Sequence, residues 1–170
     1  MSGRKQSKEP WTTLFDRMAK KCPQGDKELI KAVCKILTNR GVIHTVYPHV
    51  TPAIIEVRLP TRDPTADPRT DQPLAVRLTL NAKRNLLHFL YKVFSYVKNE
   101  DAVFKTVNAF NAGTHYGRSY INEEKENVYL DCSYPGFTVE SVNEAQLLDT
   151  LASFMANAEY LYKELEQTQK

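Results

Sequence analysis

The sequence is poor in cysteine and has no long hydrophobic run, and each absence excludes a class of protein. The three cysteines, Cys22, Cys34 and Cys132, are widely spaced and form no C-x-x-C pair, which argues against a disulfide framework and against a zinc or redox site. No run of about 18 apolar residues occurs, so we expect no membrane-spanning helix. The polar first residues lack the apolar core of a signal peptide, and the expected location is the cytoplasm.

The sequence motifs of common enzyme classes are absent as well. There is no P-loop, no G-x-G-x-x-G, no H-E-x-x-H and no G-x-S-x-G, the patterns of phosphate binding, dinucleotide binding, zinc proteolysis and serine hydrolysis. His44 and His49 have no cysteine or evident carboxylate partner nearby to complete a metal site. We therefore expect no metal, no cofactor and no enzymatic activity.

Length, composition and charge indicate one domain with a basic end. A chain of 170 residues, of which 42% are hydrophobic and 25% charged, fits a single globular domain. The net charge is only +3, yet residues 1–40 hold ten Lys and Arg against four Asp and Glu. We divide the chain into a basic segment with a short helix, residues 1–25, and an α+β domain, residues 26–170, with a proline-rich loop at 60–73.

The basic end is the basis of one alternative function. It is typical of a solvated tail, and it also fits a surface that binds a nucleotide or nucleic acid through phosphate groups. The residues of this predicted basic patch are Arg4, Lys5, Lys8, Arg17, Lys20 and Lys21.

Hydrophobic periodicity predicts the element order α-α-β-β-β-β-α-β-β-α. Asp26 is expected to cap the second helix and Gly41 to end it, while Ser141 and Glu144 match a capping box for the last helix. Residues 86–96 are apolar on both faces and predict a central strand. Because the strands are joined by short turns, we expect an antiparallel sheet with the helices packed mainly on one face, an α+β fold.

The segment from Leu74 to Leu165 resembles the YbjN family, whose fold is that of the type III secretion chaperones. The resemblance is carried by a helix ending in N-x-x-N (Asn108, Asn111), the strand G-R-S-Y-I (residues 117–121), an alternating strand (128–134) and a long last helix with Phe154, Ala158 and Glu159. It implies a sensory or regulatory protein whose fold relatives bind partner polypeptides.

Apolar and aromatic side chains on the predicted central strand and the last helix offer a surface for such a partner. Tyr129 is out of phase with Val128 and Leu130, so we expect it to face solvent or a partner. The alternatives for these aromatic residues are core packing, a homodimer interface or base stacking. The predicted partner-binding residues are Phe89, Tyr91, Tyr129, Phe154 and Tyr160.

Asn108 and Asn111 lie three residues apart, and so they share a helix face near its C-terminal end. In a structural role, their amides bind the free carbonyl groups of the helix end and the start of the next strand. In a functional role, they form a polar pocket with Arg118 and Tyr120 that binds a carboxylate or phosphate.

From the residues and the resemblance together, we expect a non-enzymatic, chaperone-like binding or regulatory module. It would hold a protein or peptide on its sheet or in a groove beside the last helix, with a homodimer as one arrangement. A nucleotide or nucleic-acid binder is the alternative.

Overall fold

A computed structural model describes residues 24–47, 53–58, 75–81, 85–95, 97–113, 117–124, 126–135, 138 and 140–168. The predicted short helix near Trp11 and the proline-rich loop at 60–73 lie outside the described residues.

The described residues form three helices and six strands in the order α-β-β-β-β-α-β-β-α. The elements are α1 (Gln24–Asn39), β1 (His44–Tyr47), β2 (Ile54–Arg58), β3 (Ala75–Asn81), β4 (Leu86–Ser95), α2 (Glu100–Gly113), β5 (Arg118–Ile121), β6 (Asn127–Pro135) and α3 (Glu144–Thr168). Every element predicted within these ranges is present, with ends shifted by a few residues.

The strands form one sheet in the order β1-β2-β3-β4-β6-β5, and every neighbouring pair is antiparallel. The predicted central strand, β4, indeed lies between β3 and β6. The β5–β6 hairpin joins the sheet through its second strand, so β5 becomes an edge. Asn122 organises the hairpin tip, where its side-chain oxygen accepts hydrogen bonds from the backbone N–H groups of Glu126 and Asn127.

Side chains alternate along the strands between a buried and a more exposed face. On β4 the buried series is Leu87, Phe89, Tyr91 and Val93. The register then shifts by one residue, and Phe94 also packs against the core. Such a shift is a β-bulge, which bends the strand locally.

All three helices contribute to one core on the buried face of the sheet. Phe89 of β4 and Phe154 of α3 meet at its centre, with ring centroids 5.6 Å apart. Leu29 and Val33 of α1 and Val103 of α2 belong to the same cluster. The predicted fold class, an antiparallel α+β fold with helices packed on one face, is therefore confirmed.

Two helix ends differ from the sequence prediction and one agrees with it. Helix α1 begins at Gln24, which places Asp26 in its first turn and not at its cap. Helix α3 is capped by Asn143, whose side chain accepts the N–H of Gln146 at 2.7 Å, while Ser141 bonds to Thr138 instead. Gly41, with φ of +67°, ends α1 in a Schellman motif.

No helix in the described part of the chain is long and apolar enough to cross a membrane.

Candidate functional site

The helices cover one face of the sheet, and the opposite face is the candidate site. We call this side the open face. It consists of the strand side chains that alternate with the core residues: Thr45, Tyr47, Ile54, Glu56, Arg58, Arg77, Thr79, Leu86, His88, Leu90, Lys92, Arg118, Tyr120, Tyr129, Asp131 and Ser133.

A stacked tyrosine pair forms the main aromatic surface of the open face. Tyr120 and Tyr129 are directly opposite each other on β5 and β6, with ring centroids 5.6 Å apart and an angle of 18° between the rings. Partial burial, followed by the charge of Asp131, raises the pKa of the Tyr120 hydroxyl. Tyr120 is nevertheless 41% exposed, so part of this aromatic pair is accessible to a partner.

Cationic residues flank the tyrosine pair on both sides. Lys92 of β4 lies opposite Tyr129, and Arg118 of β5 lies opposite Asp131. Asp131 also lies near His88, with 3.8 Å between Oδ2 and Nε2. Lys92 and Arg118 are both exposed, and their side chains lie on the open face together with the tyrosine rings.

On the other half of the open face, Glu56 binds two neighbouring side chains. Arg77 Nε binds Glu56 Oε1 at 3.1 Å. The Tyr47 hydroxyl donates to Glu56 Oε2 at 3.1 Å, and this hydrogen bond raises the Tyr47 pKa. The β1–β3 half of the face therefore holds a polar network of Tyr47, Glu56 and Arg77 beside the exposed Arg58, whereas the β4–β6–β5 half combines aromatic rings with cations.

Three of the predicted partner-binding residues lie in the core. Phe89, Tyr91 and Phe154 are at most 4% exposed, which corrects their assignment to a surface. Apolar residues occur in both series of β4, but His88 and Lys92 interrupt one series, and the other series, which is wholly apolar, is the one that faces the helices. Tyr129 lies on the open face as expected, and Tyr160 lies on α3 with 55% exposure.

The predicted polar pocket does not assemble. Asn111 points its amide at the backbone of Ser119 in β5, where it makes two hydrogen bonds. Arg118 and Tyr120 flank Ser119 and therefore point to the opposite side of the strand. Asn108 is exposed on α2. For Asn111, the structural role named from the sequence is the one observed.

A shallow groove of about 470 Å³ lies between α2 and α3. It is lined by Lys105, Thr106, Ala109, Phe110, Gly113, Tyr160, Leu161 and Glu164. Tyr160 stacks on Phe110 across it, with centroids 6.3 Å apart. Phe104 of α2 is 42% exposed and does not line this groove. This groove is the second surface on which apolar side chains meet solvent.

The remaining predicted features are of two kinds. The basic patch from Arg4 to Lys21 lies outside the described residues. The described ranges hold no group of three or more His, Cys, Asp and Glu side chains that could bind a metal ion.

Of the cysteines, Cys34 is fully buried, and this burial raises the pKa of its thiol to about 12. Cys132 is only partly buried, and its thiol pKa is raised by burial and by Asp131.

Sequence reasoning missed the contribution of β4 to the open face. Leu90 and Lys92 belong to it together with His88. The available signal was the alternation of His88 and Lys92 with Leu90, in contrast to the wholly apolar series between them. Which residues lie opposite this series depends on strand order, which is set by long-range packing that local periodicity does not contain.

Comparisons with known proteins place the fold but not the activity. No family model matches the chain, and no curated protein matches it in sequence. A chain of the HopA1–SchA chaperone–effector complex is 10% identical with a TM-score of 0.51, and the match covers 83% of this protein and 98% of that chain. A chain of the ExsC–ExsE complex is 16% identical with a TM-score of 0.54, covering 84% and 96%. The protein thus has a type III secretion chaperone-like fold.

Proposed function

We propose that the protein is a non-enzymatic, chaperone-like binding module that holds a segment of a partner polypeptide on its open face. The observation that carries this proposal is the stacked pair of Tyr120 and Tyr129 beside Leu90, presented on a sheet face that the described helices leave uncovered. Tyrosine is enriched at protein interfaces because its ring is apolar and its hydroxyl is polar.

The way the sheet is built supports binding without a large rearrangement. Phe89 of β4 and Leu130 of β6 are buried on the core side of the strands that carry the open face. Because the core side is close-packed, the exposed side chains start from fixed positions. The main free-energy cost of binding is then the ordering of the partner segment itself, which favours an extended or already flexible segment.

The fold likeness adds support at the level of analogy. One of the similar structures is a chaperone–effector complex, and many functions share one fold, so the site carries the argument. The finer parts of the proposal are membership in the YbjN family, a role as a sensory or regulatory protein, and location in the cytoplasm. The division into residues 1–25 and 26–170 is part of the same proposal.

A homodimer belongs to the proposal as well. Phe104 of α2 and Tyr160 and Tyr162 of α3 are at least 37% exposed, and all three belong to the helical layer. We propose that two copies meet through this layer, which leaves both open faces free. In a twofold dimer the same patch would serve both subunits.

Native mass spectrometry of the protein isolated gently from its own host tests this function. The wild-type protein and the control Phe104→Ala are expected to retain a polypeptide. The double variant Tyr120→Ala, Tyr129→Ala is expected to lose it. Retention of the same polypeptide by the double variant, or co-purification of nucleic acid in its place, would refute the proposed function. The same spectra report whether the chain is a dimer.

A further inference from the structure

Charge is distributed unevenly between the two layers of the molecule. Helices α2 and α3 together carry seven acidic residues and only two lysines, Lys105 and Lys163. The open face carries four cations, Arg58, Arg77, Lys92 and Arg118, against the two carboxylates of Glu56 and Asp131. The helical layer is therefore acidic and the open face basic, although the whole chain has a net charge of only +3.

Three cations of the open face form no ion pair with a carboxylate of the described ranges: Arg58 on β2, and Lys92 and Arg118 beside the tyrosine pair. Arg77 is neutralised by Glu56 at 3.1 Å. Lys92 and Arg118 lie on β4 and β5, separated by the intervening strand β6 and offset by two residues along the strands, which places their backbones roughly 12 Å apart. The tyrosine rings and Leu90 lie in the same region.

We propose that the segment held on the open face is acidic, with apolar residues between its carboxylates. The inference rests on the proposed function, and it names the chemistry of the partner. Carboxylates of the segment bind Lys92 and Arg118, and its apolar residues pack on Tyr120, Tyr129 and Leu90. A basic segment meets the same cations as like charges and is rejected by repulsion.

The carboxylate of Asp131 weakens this preference for an acidic segment. Asp131 is the register partner of Arg118 on the open face, and its Oδ2 lies 3.8 Å from His88 Nε2, so its negative charge repels an incoming carboxylate. Replacing Asp131 with asparagine removes that repulsion and keeps the shape of the side chain. The variant Asp131→Asn should therefore bind an acidic segment more tightly than the wild type does.

Three synthetic peptides test the inference. Each has about ten residues, enough in extended form to cross six strands spaced roughly 4.8 Å apart. Leucine and phenylalanine alternate with glutamate in the first, with glutamine in the second and with lysine in the third. Binding to the full chain is measured by fluorescence anisotropy, at low salt and at physiological salt.

The glutamate peptide is expected to bind at least ten-fold more tightly than the lysine peptide, with a preference that shrinks as salt rises. The double variant Lys92→Glu, Arg118→Glu should reverse the order of the two. The double variant Lys35→Glu, Lys105→Glu changes two exposed cations of the helical layer, on α1 and α2, and should leave the order unchanged. Because it changes the net charge by the same amount, it is the matched control for net charge.

Several results would overturn the inference. These are equal affinity for the three peptides, no measurable binding of the glutamate peptide, an order unchanged in the Lys92 and Arg118 variant, or tighter binding of a short single-stranded DNA. The proposed function fails separately, if the protein retains no polypeptide in its own host. A neutral partner retained there through Tyr120 and Tyr129 would leave the function standing and remove only the acidic preference.

Discussion

The side-chain amide of Asn111 binds the backbone of Ser119 at the outer edge of the sheet, as a neighbouring strand would. Ser119 N donates to Asn111 Oδ1 at 2.7 Å, and Asn111 Nδ2 donates to the Ser119 carbonyl at 2.8 Å. Strand β5 is the sheet edge on this side. One helix residue thus ties α2 to β5 and occupies the edge groups that otherwise invite pairing with another chain.

Asn111→Ala is expected to destabilise the protein by about 1–3 kcal/mol, because it leaves two backbone groups of β5 without their partner. Chemical denaturation measures the change. Asn108→Ala, at an exposed position on the same helix, should stay within about 0.5 kcal/mol of the wild type. Ser119→Ala keeps the backbone and removes a buried hydroxyl that has no hydrogen-bond partner in the described structure, so it should cost little. Equal stability of Asn111→Ala and Asn108→Ala would contradict the role of Asn111.

Gly117 is expected to tolerate no side chain. Its φ is +97°, and a Cβ would lie 2.8 Å from the carbonyl oxygen of Asp131. Gly117→Ala should therefore lower the free energy of unfolding by roughly 1–3 kcal/mol through backbone strain alone, and the steric clash adds to it. Gly113→Ala is the control, because a Cβ there would have no atom within 4 Å and the φ of Gly113 is ordinary. Indistinguishable thermal midpoints for the two variants would contradict this account of Gly117.

Phe154 and Tyr160 are both predicted from the sequence to bind a partner, and the structure separates their roles. Phe154 is 1% exposed and Tyr160 is 55% exposed. Phe154→Ala is expected to cost about 3–5 kcal/mol of stability because it opens a cavity at the centre of the core. Tyr160→Ala should cost less than about 1 kcal/mol. Urea denaturation measures the free energy of unfolding of the two variants. A larger loss of stability for Tyr160→Ala than for Phe154→Ala would contradict the position of Phe154 at the centre of the core.

The buried thiol of Cys34 predicts a loss of stability at high pH. Burial raises its pKa from 9.0 to about 12 in the folded protein. Above pH 9 the unfolded chain loses this proton while the folded chain keeps it, so the contribution of Cys34 to stability is full below about pH 9 and falls as the pH rises towards 12. From about pH 8 to about pH 10 this amounts to roughly 1.4 kcal/mol.

The measurement compares wild type with Cys34→Ala in urea at several pH values. The variant is less stable at every pH because of the lost side chain, but it should lack this part of the pH dependence. Parallel curves for the two proteins would show that Cys34 ionises as readily in the folded state as in the unfolded state.

Local sequence patterns predict the elements well because each has its own signal. Gly41 is expected to end a helix and does so with φ of +67°, since glycine adopts that conformation without strain. The face of the sheet on which each strand residue lies is harder to predict. On β4 the buried series of Phe89 is wholly apolar, whereas the open-face series of Leu90 is mixed, with His88 and Lys92 on either side of it.

The candidate site is predicted only in part, for a related reason. Tyr129 is assigned outwards because it breaks the apolar alternation of its own strand, and the structure places it against Tyr120. The pocket of Asn108, Asn111, Arg118 and Tyr120 is wrong in geometry, because it assumes that residues close in sequence converge. Alternation along β5 sends Arg118 and Tyr120 to the side of the strand away from the Asn111 contact.

The most direct test of the central claim is site-specific photo-crosslinking in the protein's own host. Tyr120 lies on the open face and Phe104 lies on α2 in the helical layer, and their exposed fractions are nearly equal, 41% and 42%. A benzophenone amino acid placed at position 120 is expected to crosslink to a polypeptide identified by mass spectrometry, whereas the same group at position 104 is not expected to crosslink to that polypeptide. Crosslinking of the partner from position 104 alone, or of no polypeptide from position 120, would contradict the account.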